Sequence, residues 1–388
     1  MQVQARFVPE LSWKERELPQ KERTKHVHGV HPYLGKYVPQ LVDYLLANYF
    51  KPGDKVLDPY VGSGTTLVEA NVSKMGGVGV DVSEFNILLC KVKLAKYDLP
   101  ELKKELADIV QRVKQEVRAQ DVDSSLDAFL SENPIGGKRI GSEVQVASAY
   151  LRTWYHPNAL YPLLAFRNLI DRYEYQDALK VLLSRIARSS RLAPHYELDS
   201  PRKPFTKDYH CYKHARICHP TTNALGFMER YWLDTYNRLA EFQRLRTDSP
   251  TDLILGDVRE VPLPKTDGVI TSPPYVGLID YHEQHRYAYE LLGLKDRSEL
   301  EIGAKRDRDN TKARDAYKAG IVRSLRHIAD QSTNGPIIFV VNDRHKLYES
   351  ISSAAGLGIV ERMSRRVDRR TGRRSNGEFY EDIIVMKS

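Results

Sequence analysis

Thr271-Ser272-Pro273-Pro274-Tyr275 carries more chemistry than any other segment of this chain. Two successive prolines lack N–H donors and are stiff at φ, so a strand entering them must stop and the peptide is held extended. What remains is a rigid shelf bearing one hydroxyl and one aromatic ring. A second constellation is Asp58-Pro59-Tyr60-Val61-Gly62-Ser63-Gly64-Thr65-Thr66, where glycines let a ligand come against bare backbone N–H groups. Asp81 closes the next apolar run, at a position where an acid can meet a ribose diol, and Asp257 closes the one after, where an acid can accept from an exocyclic amine of a purine. The glycine loop lacks the third glycine of a dinucleotide fingerprint and the Gly-Lys-Ser/Thr ending of a P-loop. NAD and ATP are therefore disfavoured.

These residues need elements to position them. Tyr37, Val38, Leu41, Val42, Leu45 and Leu46 fall at helical spacing, and Lys51-Pro52-Gly53-Asp54 ends that helix. Val56-Leu57 then predicts a strand, the TTLVEANVSKM stretch from Thr65 a helix, and Val78-Gly79-Val80 a second strand, together the first half of a doubly wound parallel sheet. Strand patterns return at Asp252 to Leu255, Gly268 to Thr271 and Ile337 to Val341, with Tyr317, Ile321, Leu325 and Ile328 striping a helix before the last. An alternating segment near Ile359 and Ile383-Ile384-Val385-Met386 predict an antiparallel hairpin at the sheet edge. Between the second and third strands lie mainly helical patterns broken by Gly136-Gly137, then an irregular stretch from Arg191 to Pro220.

The chain has 388 residues, 41% hydrophobic and 28% charged, with three cysteines and a formal net charge of +8. That composition excludes wholesale disorder, fibrous repeats and a disulfide framework, and no apolar run has the roughly 18 residues of a membrane span. A polar, charged start without a signal-like stretch leads us to expect a cytoplasmic protein. The positive balance suits a polyanionic partner.

In this order and spacing, the three acids, the glycine loop and the Pro-Pro-Tyr shelf resemble the amino-methyltransferases of DNA, S-adenosylmethionine-dependent enzymes that methylate exocyclic amines. Ser272-Pro273-Pro274-Tyr275 matches the catalytic tetrapeptide Asp/Asn/Ser-Pro-Pro-Tyr of that family. His28-Gly29-Val30-His31-Pro32-Tyr33-Leu34-Gly35-Lys36-Tyr37 is similar to its lead-in motif. The resemblance implies an α/β, Rossmann-like doubly wound methyltransferase sheet with an antiparallel C-terminal hairpin and a large, mainly helical insertion. It divides the chain into an arm (1–25), a first half of the methyltransferase domain (26–97), an insertion that is the candidate DNA-recognition region (98–250) and a second half (251–388). It also implies cofactor contacts from Tyr33, Asp58, Pro59, Tyr60, Gly62, Ser63, Gly64, Thr65, Asp81, Val82, Asp257, Val258 and Thr271. Catalysis would fall to Ser272, Pro273, Pro274 and Tyr275.

Duplex DNA is the expected substrate, with the target base flipped out to stack on Tyr275. Its amine would be aimed at the methyl group by hydrogen bonds to the Ser272 hydroxyl and the Pro273 carbonyl. Cys90, Cys211 and Cys218 lack the Pro-Cys setting of C5-cytosine enzymes. Family members with Ser before Pro-Pro mostly methylate cytosine N4, those with Asp or Asn mostly adenine N6, so the expected product is N4-methylcytosine. Adenine N6 and guanine N2 of tRNA are the alternatives. A cognate restriction endonuclease, acting separately, is the partner expected of a modification enzyme. For DNA contacts the sequence offers Arg188, Arg191, Arg202, Lys203, Tyr209 and Lys213 in the insertion, and Arg369, Arg370 and Arg373 in an arginine-rich turn that begins near Arg362. Cys211, His214, Cys218 and His219 match no common zinc spacing, and no metal is expected.

Overall fold

The computed structural model describes residues 4–119, 148–304, 309–368 and 378–388. Eight strands form one sheet: β1 (Arg6–Phe7), β2 (Lys55–Asp58), β3 (Gly76–Asp81), β6 (Thr251–Leu255), β7 (Gly268–Thr271), β8 (Ile337–Val341), β9 (Gly358–Arg366) and β10 (Tyr380–Lys387). Two more, β4 (Tyr209–Cys211) and β5 (Arg216–Cys218), pair with each other. The sheet order is β1-β9-β10-β8-β7-β2-β3-β6, parallel except where β10 runs against β8 and β9. This is the doubly wound α/β sheet with a C-terminal antiparallel hairpin.

The central strands are apolar on both faces because helices cover both, as parallel sheets require. Along β8 the side chains alternate. Ile337, Phe339 and Val341 join Leu57, Val78, Val269, Ile321 and Leu325 in one core, while Ile338 and Val340 join Leu41, Leu45, Val56 and Ile270 in the other. The helix Thr311–Gln331 supplies the first core and the helix Pro39–Tyr49 the second.

The described helices of the insertion are Leu99–Ala119, Ala149–Trp154, Pro157–Leu169, Gln176–Ser190 and Leu225–Gln243. Their apolar stripes, such as Leu102, Leu106, Ile109 and Val113, do not close on themselves. They share a core with Phe85 and Leu89 of the helix Glu84–Leu94 and with Tyr287 and Leu291 of the segment after β7. The segment read as an arm is likewise part of the body: β1 pairs with Met363 and Ser364 of β9, and Val8 and Leu11 are buried in the second core. Its polar composition hid three buried residues, Val8, Leu11 and Leu18, and one edge strand. Among the described residues no helix is long and apolar enough to cross a membrane.

Candidate active site

A cavity opens at the carboxyl ends of β2, β3, β6 and β7, the place where open α/β sheets bind ligands. Of the residues named from sequence, Tyr33, Pro59, Tyr60, Gly62, Ser63, Thr65, Asp81, Val82, Asp257, Val258, Ser272 and Pro274 line it. Asp58, Gly64, Thr271, Pro273 and Tyr275 do not.

The glycine loop is built for close approach. Gly62 has φ +48° and Gly64, which precedes the helix Thr65–Val72, has φ +78°. A Cβ on Gly62 would stand 3.1 Å from the Tyr33 hydroxyl, and one on Gly64 2.9 Å from Cys90 Sγ. Both conformation and space call for glycine. Buried Lys93 donates to the Ser63 carbonyl at 2.5 Å and fixes the loop from behind.

Asp81 holds the loop from the front. Its Oδ2 accepts from Gly62 N at 2.9 Å and from Asn86 Nδ2 at 3.0 Å, and its Oδ1 accepts from Ser83 N at 2.9 Å. A carboxylate has about four acceptor positions, so one is left toward the cavity. Burial pushes the Asp81 carboxyl above the usual range, against the pull of these donors. Asp257 is more heavily engaged: Arg259 Nε lies 2.8 Å from both carboxylate oxygens, and the backbone N–H groups of Glu260 and Val261 bond to its carbonyl. It caps a turn and faces the cavity at once.

Asp58 and Thr271 lie beneath the cavity floor. Thr271 Oγ1 donates to Asp58 Oδ1 at 2.6 Å, Thr66 Oγ1 donates to Oδ2 at 2.5 Å, and Tyr60 N donates to Oδ1 at 3.2 Å. Burial raises Asp58 to about 6. Named from sequence as cofactor contacts, the two residues instead join the loop after β2 to the loop after β7. The lead-in motif is a brace of the same kind. Buried His28 meets Glu69 at 2.5 Å, Lys25 reaches the same carboxylate at 2.9 Å, and Tyr37 bonds to Thr66. Lys36 lines the cavity and is lowered to about 7 by burial, with the Lys93 and Arg238 cations adding to it.

In the loop after β7, Ser272 and Pro274 face the main cavity. Tyr275 faces a second, smaller one that it shares with Tyr317, Asp343 and Tyr348. One short loop thus borders two cavities. Sequence reading missed Ser83, Asn86, Tyr281, Leu300, Glu301 and Ile302 in the main cavity lining. Ser83 and Asn86 follow Asp81 closely and were within reach of the same reasoning. The others sit in or beside helices too short to show periodicity.

Several expected DNA contacts point inward. Arg191 is 2% exposed, bonds to the Leu198 carbonyl and covers the Tyr287 ring at 4.6 Å; Arg188 pairs with Asp199; Tyr209 is buried, with its hydroxyl 3.2 Å from His195 N. Arg202, Lys203 and Lys213 are exposed. In the arginine-rich stretch, Arg362 pairs with Asp343 and Asp382, and Arg365 with Glu381. Arg369, Arg370 and Arg373 lie outside the described residues.

A glycine-loop cavity at the switch of a doubly wound sheet, rimmed by two carboxylates and a Pro-Pro shelf, defines a nucleotide-cofactor enzyme of the methyltransferase class. Residues 4–91 match the DNA methylase family of N6/N4 enzymes. A Type II methyltransferase, M.MjaII, from Methanocaldococcus jannaschii is 35% identical over 95% of this chain and 82% of its own length. This chain belongs to the N6/N4 DNA methylase family. It is a DNA methyltransferase, and its methyl donor is S-adenosylmethionine. Among solved structures, the rRNA methyltransferase aviRa from Streptomyces viridochromogenes aligns at TM-score 0.33 and 12% identity over 92% of this chain and 88% of its own. A putative RNA methyltransferase from Pyrococcus horikoshii aligns at 0.21 and 13% over 41% and 58%. Similarity at that level carries no weight in the assignment.

The cavity suits the donor. Gly62 leaves room where any side chain would meet Tyr33, Asp81 offers an acceptor for a ribose diol, and Val82, Val258 and Ile302 supply apolar surface for a purine.

Proposed function

We propose that this chain transfers a methyl group to the exocyclic N4 of a flipped cytosine in duplex DNA, as the modification enzyme of a Type II restriction system. The observation that carries the reading is that Ser272, the residue before Pro-Pro, lines the same cavity as Asp81 and Asp257. Tyr33, Tyr60, Gly62, Ser63 and Asp81 would hold the methionine and ribose end of the donor, and Asp257, Val82 and Val258 its adenine. Bound there, S-adenosylmethionine supplies an electrophilic methyl group.

The rest falls to the catalytic loop. A ring-conjugated amine is a poor nucleophile because its lone pair is delocalised. Hydrogen bonds from that amine to the Ser272 hydroxyl and the Pro273 carbonyl favour a tetrahedral nitrogen and aim the lone pair at the methyl. Tyr275 stacks on the base, which unpairing has brought out of the duplex. A neutral hydroxyl serves the smaller pyrimidine without a buried carboxylate, which is costly to desolvate unless paired. Adenine N6 is the alternative product, since the family includes both chemistries. The name of the Methanocaldococcus relative supports the link to a restriction system and to a separately acting endonuclease.

Phosphates are met by the exposed cations of the irregular stretch, chiefly Arg202, Lys203 and Lys213. The test is transfer of labelled methyl groups from S-adenosylmethionine to plasmid DNA. The native chain is expected to label DNA, and S272A to bind the donor normally while transferring at a sharply reduced rate. Unimpaired transfer by S272A would overturn the role of Ser272.

A further inference from the structure

We propose that His195, Cys211, His214 and Cys218 bind one structural zinc ion. One candidate ligand atom from each lies within 4.8 Å of all the others. Cys211 Sγ is 4.0 Å from His195 Nδ1, and Cys218 Sγ is 3.3 Å from His214 Nδ1. In a tetrahedral site with zinc–sulfur bonds near 2.3 Å and zinc–nitrogen bonds near 2.0 Å, ligand atoms stand about 3.3–3.8 Å apart, so the group needs only a small contraction. Two thiolates and two imidazoles are a closed structural set for zinc. From sequence, the group had His219 as its fourth member. The fold removes it, since His219 is exposed and pairs with Asp208, and brings in His195 from upstream.

The hairpin has a small apolar core of its own. β4 and β5 have three residues each, and their apolar cluster is Tyr209, Cys211 and Cys218 with Tyr196 and Phe205 alongside. A two-stranded ribbon of that size is marginal in water, and small units with so little core are usually completed by a metal or disulfides. The hairpin tip is also strained: Ala215 has φ +50°, a left-handed conformation that residues with a side chain seldom adopt. That turn is what brings His214 back to Cys218. The other compact group of potential ligands, His26, His28 and Glu69, already holds the Lys25 ammonium at 2.9 Å from the carboxylate and makes no comparable case. A zinc ion would join the segment after the helix Gln176–Ser190, through His195, to the hairpin. The inference does not depend on which base is methylated.

The full-length protein, expressed with zinc and purified without chelators, is expected to contain about one zinc per chain by plasma mass spectrometry. H219A should keep the metal, and C211S/C218S should lose it. Because the double variant can also fail to fold, the unaltered chain provides a second test. A mercurial reagent that modifies its thiols should release zinc to a chromophoric chelator in step with the reaction of two cysteines, and X-ray absorption should report two sulfur and two nitrogen neighbours. No zinc above background, or zinc that survives modification of Cys211 and Cys218, would overturn the assignment.

Discussion

Thr271, the last residue of β7, donates a 2.6 Å hydrogen bond to Asp58, the last residue of β2. The residue before Ser272 is thereby tied to the residue that opens the glycine loop. Since β2 and β7 are neighbours in the sheet, the bond spans two strand ends and fixes the two loops relative to each other. Replacing the hydroxyl while keeping the shape, as in T271V, is expected to lower stability by about 1.5–3 kcal/mol, the range for a hydrogen bond to a charged group. Thermal denaturation checks this. Methyl transfer should fall with it, in kcat more than in donor affinity, because Thr271 touches the loop and not the cavity.

The same pair predicts a pH effect. Asp58 titrates near 3.8 when unfolded and is raised to about 6 by burial in the fold. A raised carboxyl stabilises the fold fully below its unfolded value, and that contribution is lost as the pH rises through about 6. D58N cannot titrate there. The stability of the native chain relative to D58N should therefore fall between pH 4 and pH 7 by on the order of 3 kcal/mol, since each tenfold change in proton affinity is worth about 1.4 kcal/mol. A difference independent of pH would contradict the buried, titrating carboxyl.

Asp81 joins loop support to the role proposed for it in ribose recognition. D81A should weaken S-adenosylmethionine binding by about 1.5–3 kcal/mol, roughly 10- to 150-fold. Calorimetry reads this directly, and unchanged affinity would remove Asp81 from the donor site.

Gly64 predicts a purely structural effect. G64A places a Cβ 2.9 Å from Cys90 Sγ at φ +78°. The backbone cost of about 1–2 kcal/mol should persist in G64A/C90A, while the steric part should be relieved. The double variant is thus expected to melt between G64A and the native chain.

How far the sequence alone could go follows from what each feature depends on. β2, β3, β7 and β8 were legible because each is a short, mainly apolar run ended by polar or turn-forming residues, and the glycine loop was legible because its residues are contiguous. The Asp58–Thr271 bond was not, since it exists only once β2 and β7 are known to be adjacent. The inward turn of Arg188 and Arg191 was hidden for a related reason. An arginine with a partner such as Asp199, or a ring such as Tyr287, reads in sequence like one facing solvent. His195 is separated from Cys211 by an irregular stretch, and no spacing rule could have chosen it over His219. β1 escaped notice because a two-residue edge strand has no periodicity.

For the DNA interface, binding should weaken steeply with salt. Removing two phosphate contacts in R202A/K203A should lower the slope of log affinity against log salt by about 2, since each contact contributes roughly 0.9. An unchanged slope would mean that these two cations are solvated surface.

The mark left on the DNA separates the two amine chemistries directly. DNA methylated by the purified chain, digested to nucleosides and analysed by mass spectrometry, is expected to contain N4-methylcytosine and no N6-methyladenine. N6-methyladenine as the sole product would rule out cytosine N4 as the target.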